Sequence, residues 1–184
     1  KRIIVHLPYA FQAKRMFPDV FRHDRLNTSE WELIVEKIGE PPVEPQTKDA
    51  TIIEAWEKEM DSYRRAISKT QEYIEFHASR IEKGQRASSL IGNQYTGSIF
   101  LALMSTFESD LEENNNLDDE FFGLCGYGSG AKAKVFEAKV NPRWREVVSR
   151  WHLFERLAGR VAIDQVTYEN LHKGTRDNSV ISPN

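Results

Sequence analysis

A chain of 184 residues carrying 25 Lys and Arg against 28 Asp and Glu, with a formal net charge of -3, has no electrostatic attraction for nucleic acid or an anionic membrane surface. Its length suits one domain, or half of a large one, with a sizeable core, and its longest apolar run, near Ile99–Met104, is far too short to span a bilayer. The single cysteine, Cys125, excludes an internal disulfide framework and fits a reducing compartment, so the cytoplasm is the expected location.

Lys1–His6 is already β-branched and apolar, with no initiator Met and no leader before it, and predicts a strand in a chain entered midway. Pro8 closes that strand and leaves His6 at its C-terminal end. Ala10–Phe21 reads as an amphipathic helix broken near Pro18, and Asn27-Thr28-Ser29-Glu30 supplies N-cap residues for a second helix through about Ile38. Gly39–Pro45 then makes a stiff, extended linker.

From Thr51 to about Glu82 the residues Ile53, Met60, Ile67, Ile74 and Ile81 recur every seven, with Trp56, Tyr63, Thr70 and His77 between them, predicting one long helix. It either lies on its own domain or protrudes as an arm toward another subunit; Thr70 and His77 weaken the second reading. Thr96–Phe107 is apolar nearly all the way round, the pattern of a helix buried on every side, which predicts a further half of the protein packed against it. Glu108–Asp119 reads as a solvated acidic connection without the spacing of a calcium loop. Two strands follow, Glu120–Tyr127 and Lys132–Val140, joined through Gly128-Ser129-Gly130 too tightly for a parallel crossover. Trp144–Ala158 reads as an amphipathic helix, Ile163–Leu171 as a short one capped by Asp164, and the last dozen residues as frayed. The sum is an α/β layer structure on a mixed sheet.

Three polar, Gly- or Pro-punctuated turns sit at the ends of apolar elements: VHLPY at 5–9, IGNQYTGSIF at 91–100 and GLCGYGSG at 123–130. Such turns are where a scaffold presents reactive groups, and all three can line one pocket. Read alone, His6 is either satisfied by backbone carbonyls or chemically active, Asn93 is a helix cap, and Ser129 a small turn residue.

Together these motifs resemble the C-terminal half of the thiolase-fold condensing enzymes, and within them the 3-hydroxy-3-methylglutaryl-CoA (HMG-CoA) synthase family. Tyr95-Thr96 within GNQYTGS, the Tyr127-Gly128-Ser129-Gly130 turn and the HxPY pattern at His6 favour that family over the ketoacyl synthase III branch, which shows GNTSAAS-like and HQAN-like motifs. The tail Arg156–Tyr168, with Arg160-Val161 and Asp164 to Tyr168, is similar to the family's ending. The resemblance covers roughly 1–22 and 85–172. It implies a thiolase-like layered fold, C-terminal half only, with helices on both faces of a mixed sheet and a long helical insertion at about 40–84.

The resemblance also implies roles. His6 positions an acetoacetyl thioester and polarises its ketone, Asn93 hydrogen-bonds the acyl group, Tyr95 lies beside it, and Ser129 contacts the product's carboxylate end. Lys14 and Arg15 meet the coenzyme A phosphates, while Phe11 stands where the family carries a lysine. No cofactor is implied beyond coenzyme A thioesters as substrates, and no metal. The implied partners are acetyl-CoA, acetoacetyl-CoA, the N-terminal half of the same enzyme, and a second copy in a homodimer, with neither nucleic acid nor membrane.

In the family the nucleophilic cysteine and the glutamate base both belong to the N-terminal half, so the resemblance implies that this chain is inactive alone. Cys125 lies in an apolar strand run and reads as a structural thiol. The alternatives are a condensing enzyme acting on a carrier-protein thioester, as in polyketide β-branching, a ketoacyl synthase III relative, or a non-catalytic assembly subunit.

Overall fold

Three strands form one sheet in the order β1-β2-β3, with β1 spanning Arg2–Val5, β2 Phe121–Gly128 and β3 Lys132–Lys139. The computed structural model describes residues 1–128, 132–176, 178 and 180, which fall into two units, Lys1–Trp151 and His152–Asn184. β1 runs parallel to β2 with Ile4 opposite Leu124, and β3 returns antiparallel with Phe136 opposite Leu124, so the sheet is mixed as expected. Nine α-helices accompany it among the described residues: α1 Gln12–Arg25, α2 Ser29–Ile38, α3 Ala50–Ile67, α4 Gln71–Arg80, α5 Glu82–Ile91, α6 Ser98–Glu112, α7 Trp144–Val148, α8 Leu153–Ala158 and α9 Gln165–His172.

Both faces of the sheet are covered in part. Phe107 of α6 stacks on Phe122 with ring centroids 4.9 Å apart, and Trp144 of α7 closes the same cluster. The opposite face, with Ile3 and Gly123, shares a cavity of about 520 Å³ with Val20 of α1 and Phe76 of α4. Among the described residues β3 pairs only with β2 and all its residues are exposed, so the alternation in its sequence has no buried side within this chain.

The expected break at Pro18 does not occur; α1 runs through it to Arg25. Proline has no N–H for the carbonyl of residue 14, four positions back, which would leave that acceptor bare in the helix interior. Tyr73 of α4 supplies the missing donor: its hydroxyl donates to the Lys14 carbonyl oxygen at 2.8 Å. Burial of Tyr73, which pushes its phenol pKa well up, keeps that hydroxyl a donor. Phe21 meets the Tyr73 ring edge-on at 5.3 Å, so the same residue completes the core and repairs the helix.

The single long helix expected over 51–82 is two helices, α3 and α4, and α5 starts at Glu82. Thr70 is the N-cap of α4, accepting from the Tyr73 N–H at 3.3 Å, and a polar cap beats the heptad register at that point. Met60, Tyr63, Ile67, Tyr73, His77 and Ile81 are buried while Ile74 is exposed, so the segment folds back onto its own unit. The proline linker is held by α3: Tyr63 donates to the Gly39 carbonyl at 3.0 Å, and Trp56 Nε1 to that of Pro42 at 3.4 Å.

α6 is also different from its expected form. Within this chain Phe100 is 62% exposed, and the face that is buried carries Ser98, Ala102, Ser105, Thr106, Ser109 and Asp110. These small side chains let α5 approach closely; a Cβ added to Gly84 would lie 3.2 Å from Thr106 Oγ1. Ser105 accepts from the Ala87 N–H at 3.1 Å and donates to the Lys83 carbonyl, touching both members of one helical hydrogen-bond pair of α5.

The acidic stretch 108–119 is therefore not all a solvated connection, because Glu108–Glu112 continue α6 and Asp110 is fully buried. Arg2 of β1 grips Asp110 through two hydrogen bonds, at 2.9 and 2.8 Å, with Lys83 of α5 and Asn115 as further donors. The expected helix 144–158 likewise divides: α7 ends at Val148, and His152, at a left-handed φ of 53°, precedes α8. In the second unit α9 starts where Asp164 accepts from the Thr167 N–H at 2.7 Å, as anticipated.

Two outcomes follow from these contacts. Burial alone would push the Asp110 carboxyl up, but the hydrogen bonds from Arg2, Lys83 and Asn115 outweigh it and hold the pKa below the ordinary value. Its contribution is complete above the unfolded carboxyl pKa of about 3.9 and is lost as pH falls through the lower folded value. Asp110→Asn is expected to cost about 3 kcal/mol in urea denaturation at pH 7, and to flatten the loss of stability between about pH 4 and 2. Tyr73→Phe should cost about 1–2 kcal/mol, and clearly less in a Pro18→Ala background where residue 18 again has an N–H. Equal costs in both backgrounds would show that the Tyr73 hydroxyl does not serve the Lys14 carbonyl.

Candidate functional site

The parallel pairing of β1 with β2 carries one residue beyond the strand: the His6 N–H donates to the Cys125 carbonyl at 3.0 Å. That bond fixes the His6 backbone at the C-terminal edge of the sheet, where ligand sites form in α/β folds. The half-buried imidazole stands edge-on to Tyr127, with centroids 5.1 Å apart and planes at 87°. The Tyr127 hydroxyl accepts from Gln12 Nε2 of α1 at 3.2 Å. Sequence reasoning uses Tyr127 as a motif residue but assigns neither it nor Gln12 to the site, since a Gln in a first helical turn carries no signal of its own.

The second turn approaches from the other side. α5 ends at Gly92, whose φ of 90° favours glycine, and Asn93 Oδ1 accepts from the Tyr95 N–H at 2.7 Å and from Ser98 Oγ at 3.2 Å. Ser98 Oγ in turn accepts from the Gln94 N–H at 3.0 Å. Asn93 thus does organise the start of the following helix, through a 3-10 turn at Tyr95–Gly97. Tyr95 is 79% exposed at a φ of 48°, an unfavourable backbone state for a residue with a Cβ. A Cβ on Gly126 would lie 3.7 Å from Ile99 Cδ1, which is how the start of α6 seats against β2.

The fold therefore brings His6 beside the 123–128 strand, and seats the 91–100 segment against that same strand. Asn93 bonds to its own turn rather than to His6. Ser129 lies outside the described residues. Cys125 is half-buried, and burial pushes its thiol pKa up, away from the thiolate a nucleophile needs.

The cations are placed apart from this edge. Lys14 and Arg15 are exposed and, with Tyr9, line a cavity of about 470 Å³ between α1 and α3; Arg15 Nη1 reaches the Tyr9 hydroxyl at 3.4 Å. Phe11, 63% exposed, instead lines a larger cavity of about 870 Å³ with Lys83, Arg86 and Ser89 of α5. Phe11, at the N-cap of α1, and Arg15, inside the helix, line different cavities. Among the described residues no group of three or more His, Cys, Asp or Glu is placed to hold a metal ion, and no helix is long and apolar enough to cross a membrane.

Comparison with known proteins agrees with this architecture. The fold is thiolase-like: the chain superposes on MvaS in complex with 3-hydroxy-3-methylglutaryl coenzyme A with a TM-score of 0.63 at 21% identity, covering 99% of this chain and 36% of that one. It also superposes on the curacin biosynthetic pathway HMG synthase in complex with holo donor-ACP, with a TM-score of 0.52 at 19% identity over 95% of this chain and 32% of the other. The hydroxymethylglutaryl-CoA synthase of Haloferax volcanii is 25% identical over 167 residues, 91% of this chain and 37% of the relative. Residues 2–178 match the family described as hydroxymethylglutaryl-coenzyme A synthase C terminal, a span that takes in the 40–84 segment. The chain belongs to that family. It spans little more than a third of the length of that relative.

Proposed function

We propose that this chain is the acceptor-binding part of an HMG-CoA synthase-type acyltransferase. In that reaction an acetyl group carried on a cysteine thiolate loses a methyl proton to a carboxylate, and the carbanion attacks the ketone of acetoacetyl-CoA. The new carbon–carbon bond leaves an alkoxide that takes up a proton, and water then cleaves the thioester to the cysteine, releasing HMG-CoA for the mevalonate route to isoprenoids.

The placement of His6 carries the reading. An imidazole fixed at the sheet edge through its backbone and braced by the Tyr127 ring is suited to donate a hydrogen bond to the ketone oxygen as negative charge develops there. Asn93 and Tyr95 are the proposed contacts to the acyl group and Ser129 the contact to the carboxylate end. Lys14 and Arg15 are the proposed phosphate contacts, because they share a cation-rich cavity with Tyr9, three residues past His6. The cysteine and the carboxylate base belong to the N-terminal half in this proposal, with a cytoplasmic homodimer as the working assembly. The raised thiol pKa of Cys125 argues against its serving as the nucleophile.

A second reading, a carrier-protein thioester as acceptor, draws on Phe11 standing where the resemblance places a phosphate-binding lysine. One structural neighbour, the curacin biosynthetic pathway HMG synthase, forms a complex with holo donor-ACP. The cations around Tyr9 favour free coenzyme A.

In the assembled enzyme, His6→Ala is expected to lower the condensation rate by about 100-fold or more while acetyl transfer to the cysteine remains measurable. Unchanged condensation would remove His6 from the mechanism. The 184-residue chain incubated alone with acetyl-CoA should release no free thiol above the buffer rate; release abolished by Cys125→Ala would overturn the proposal that the nucleophile lies elsewhere.

A further inference from the structure

The cavity between α1 and α3 holds more positive charge than the motif residues account for. Tyr9, Lys14, Arg15 and Pro18 line it from one side, and Asp61, Arg64, Arg65 and Ser68 from the other, so four cations face one carboxylate. Arg64 donates its Nε–H to Asp19 at 2.7 Å and Nη1–H to Asp61 at 2.8 Å, which fixes its guanidinium between the two helices and offsets part of the negative charge of the two acids. Among the described residues no carboxylate lies within ion-pair distance of Lys14, Arg15 or Arg65.

Like charges converging on one concavity repel and raise the local potential, an arrangement suited to a multiply charged anion. Guanidinium groups fit phosphate oxygens in pairs. From these contacts we infer that Arg64 and Arg65 of α3 are specificity-determining residues, completing with Lys14 and Arg15 a site for the phosphorylated nucleotide end of coenzyme A. The inference rests on the thioester reading above and decides its carrier. Free coenzyme A brings a diphosphate and a 3′-phosphomonoester, whereas a pantetheine arm attached to a carrier protein brings one phosphodiester with a single charge. Lys14, Arg15, Arg64 and Arg65 outnumber Asp61 and Asp19 and leave the cavity net positive, which matches the first. Arg65 binds the phosphate; Arg64, held by Asp19 and Asp61, positions α3 against α1.

The test is isothermal titration of the 184-residue chain, at low ionic strength, with coenzyme A, dephospho-coenzyme A and pantetheine. Coenzyme A should bind tightest and pantetheine weakest. Arg65→Gln, at an exposed position, should weaken coenzyme A binding about tenfold and leave pantetheine unchanged, with most of the loss recovered in Arg65→Lys. Arg64→Gln is the less clean variant because it also removes the Asp19 pair, so its folding is checked by thermal melting. If Lys14→Gln weakens coenzyme A binding but Arg65→Gln does not, the role of α3 is overturned and the coenzyme A reading survives. If coenzyme A binds no more tightly than pantetheine while a holo carrier protein binds more tightly than both, the carrier is a protein and the inference fails. Absence of binding by all three small molecules would overturn this inference and the acceptor-binding reading together.

Discussion

A buried carboxylate organises the first unit. Asp110 has no solvent exposure, so its charge is sustainable only if donors replace the water it has lost. Those donors come from separate parts of the chain: Arg2 on β1, Lys83 on α5 and Asn115 beyond the end of α6. The same three elements set the candidate site. β1 ends at His6, α5 ends in the turn that holds Asn93, and α6 begins at the far side of that turn. One ionic cluster at the base therefore registers the strand and the two helices whose opposite ends carry the candidate site residues.

Small residues do the corresponding work between the helices. Gly84 and Ala87 on α5 meet Ala102, Ser105 and Thr106 on α6, and the Ser105 hydroxyl bonds to the backbone of α5. This close approach brings the ends of α5 and α6 near enough for a short connection, in which Asn93 closes the turn and Tyr95 takes a left-handed backbone.

The helical segment over residues 50–91 serves the site indirectly. Tyr73 allows α1 to continue through Pro18 by donating to the Lys14 carbonyl. Arg64 reaches Asp19 on the same helix, and α1 in turn presents Gln12 to Tyr127 beside His6. A segment outside the recognisable motifs is thus what lets the motif-bearing helix keep its length and orientation, and it adds cations of its own.

Much of this was legible in the residues. A β-branched run marked β1, Thr28 and Asp164 marked helix starts through their side-chain caps, and the three turns with His6, Asn93 and Ser129 pointed to the family, because these signals act within a few residues along the chain. What the sequence alone could not decide was set by partners distant in the chain. The heptad spacing of Ile53 to Ile81 has the same period whether or not Thr70 interrupts it, and an acid in a run of acids looks solvated until Arg2, 108 positions away, closes on it. A proline reads as a helix break until a hydroxyl 59 positions from Lys14 supplies the donor it removed. Local backbone preference is written residue by residue; desolvation and the pairing of buried polar groups depend on which segments meet, and only the tertiary structure decides that.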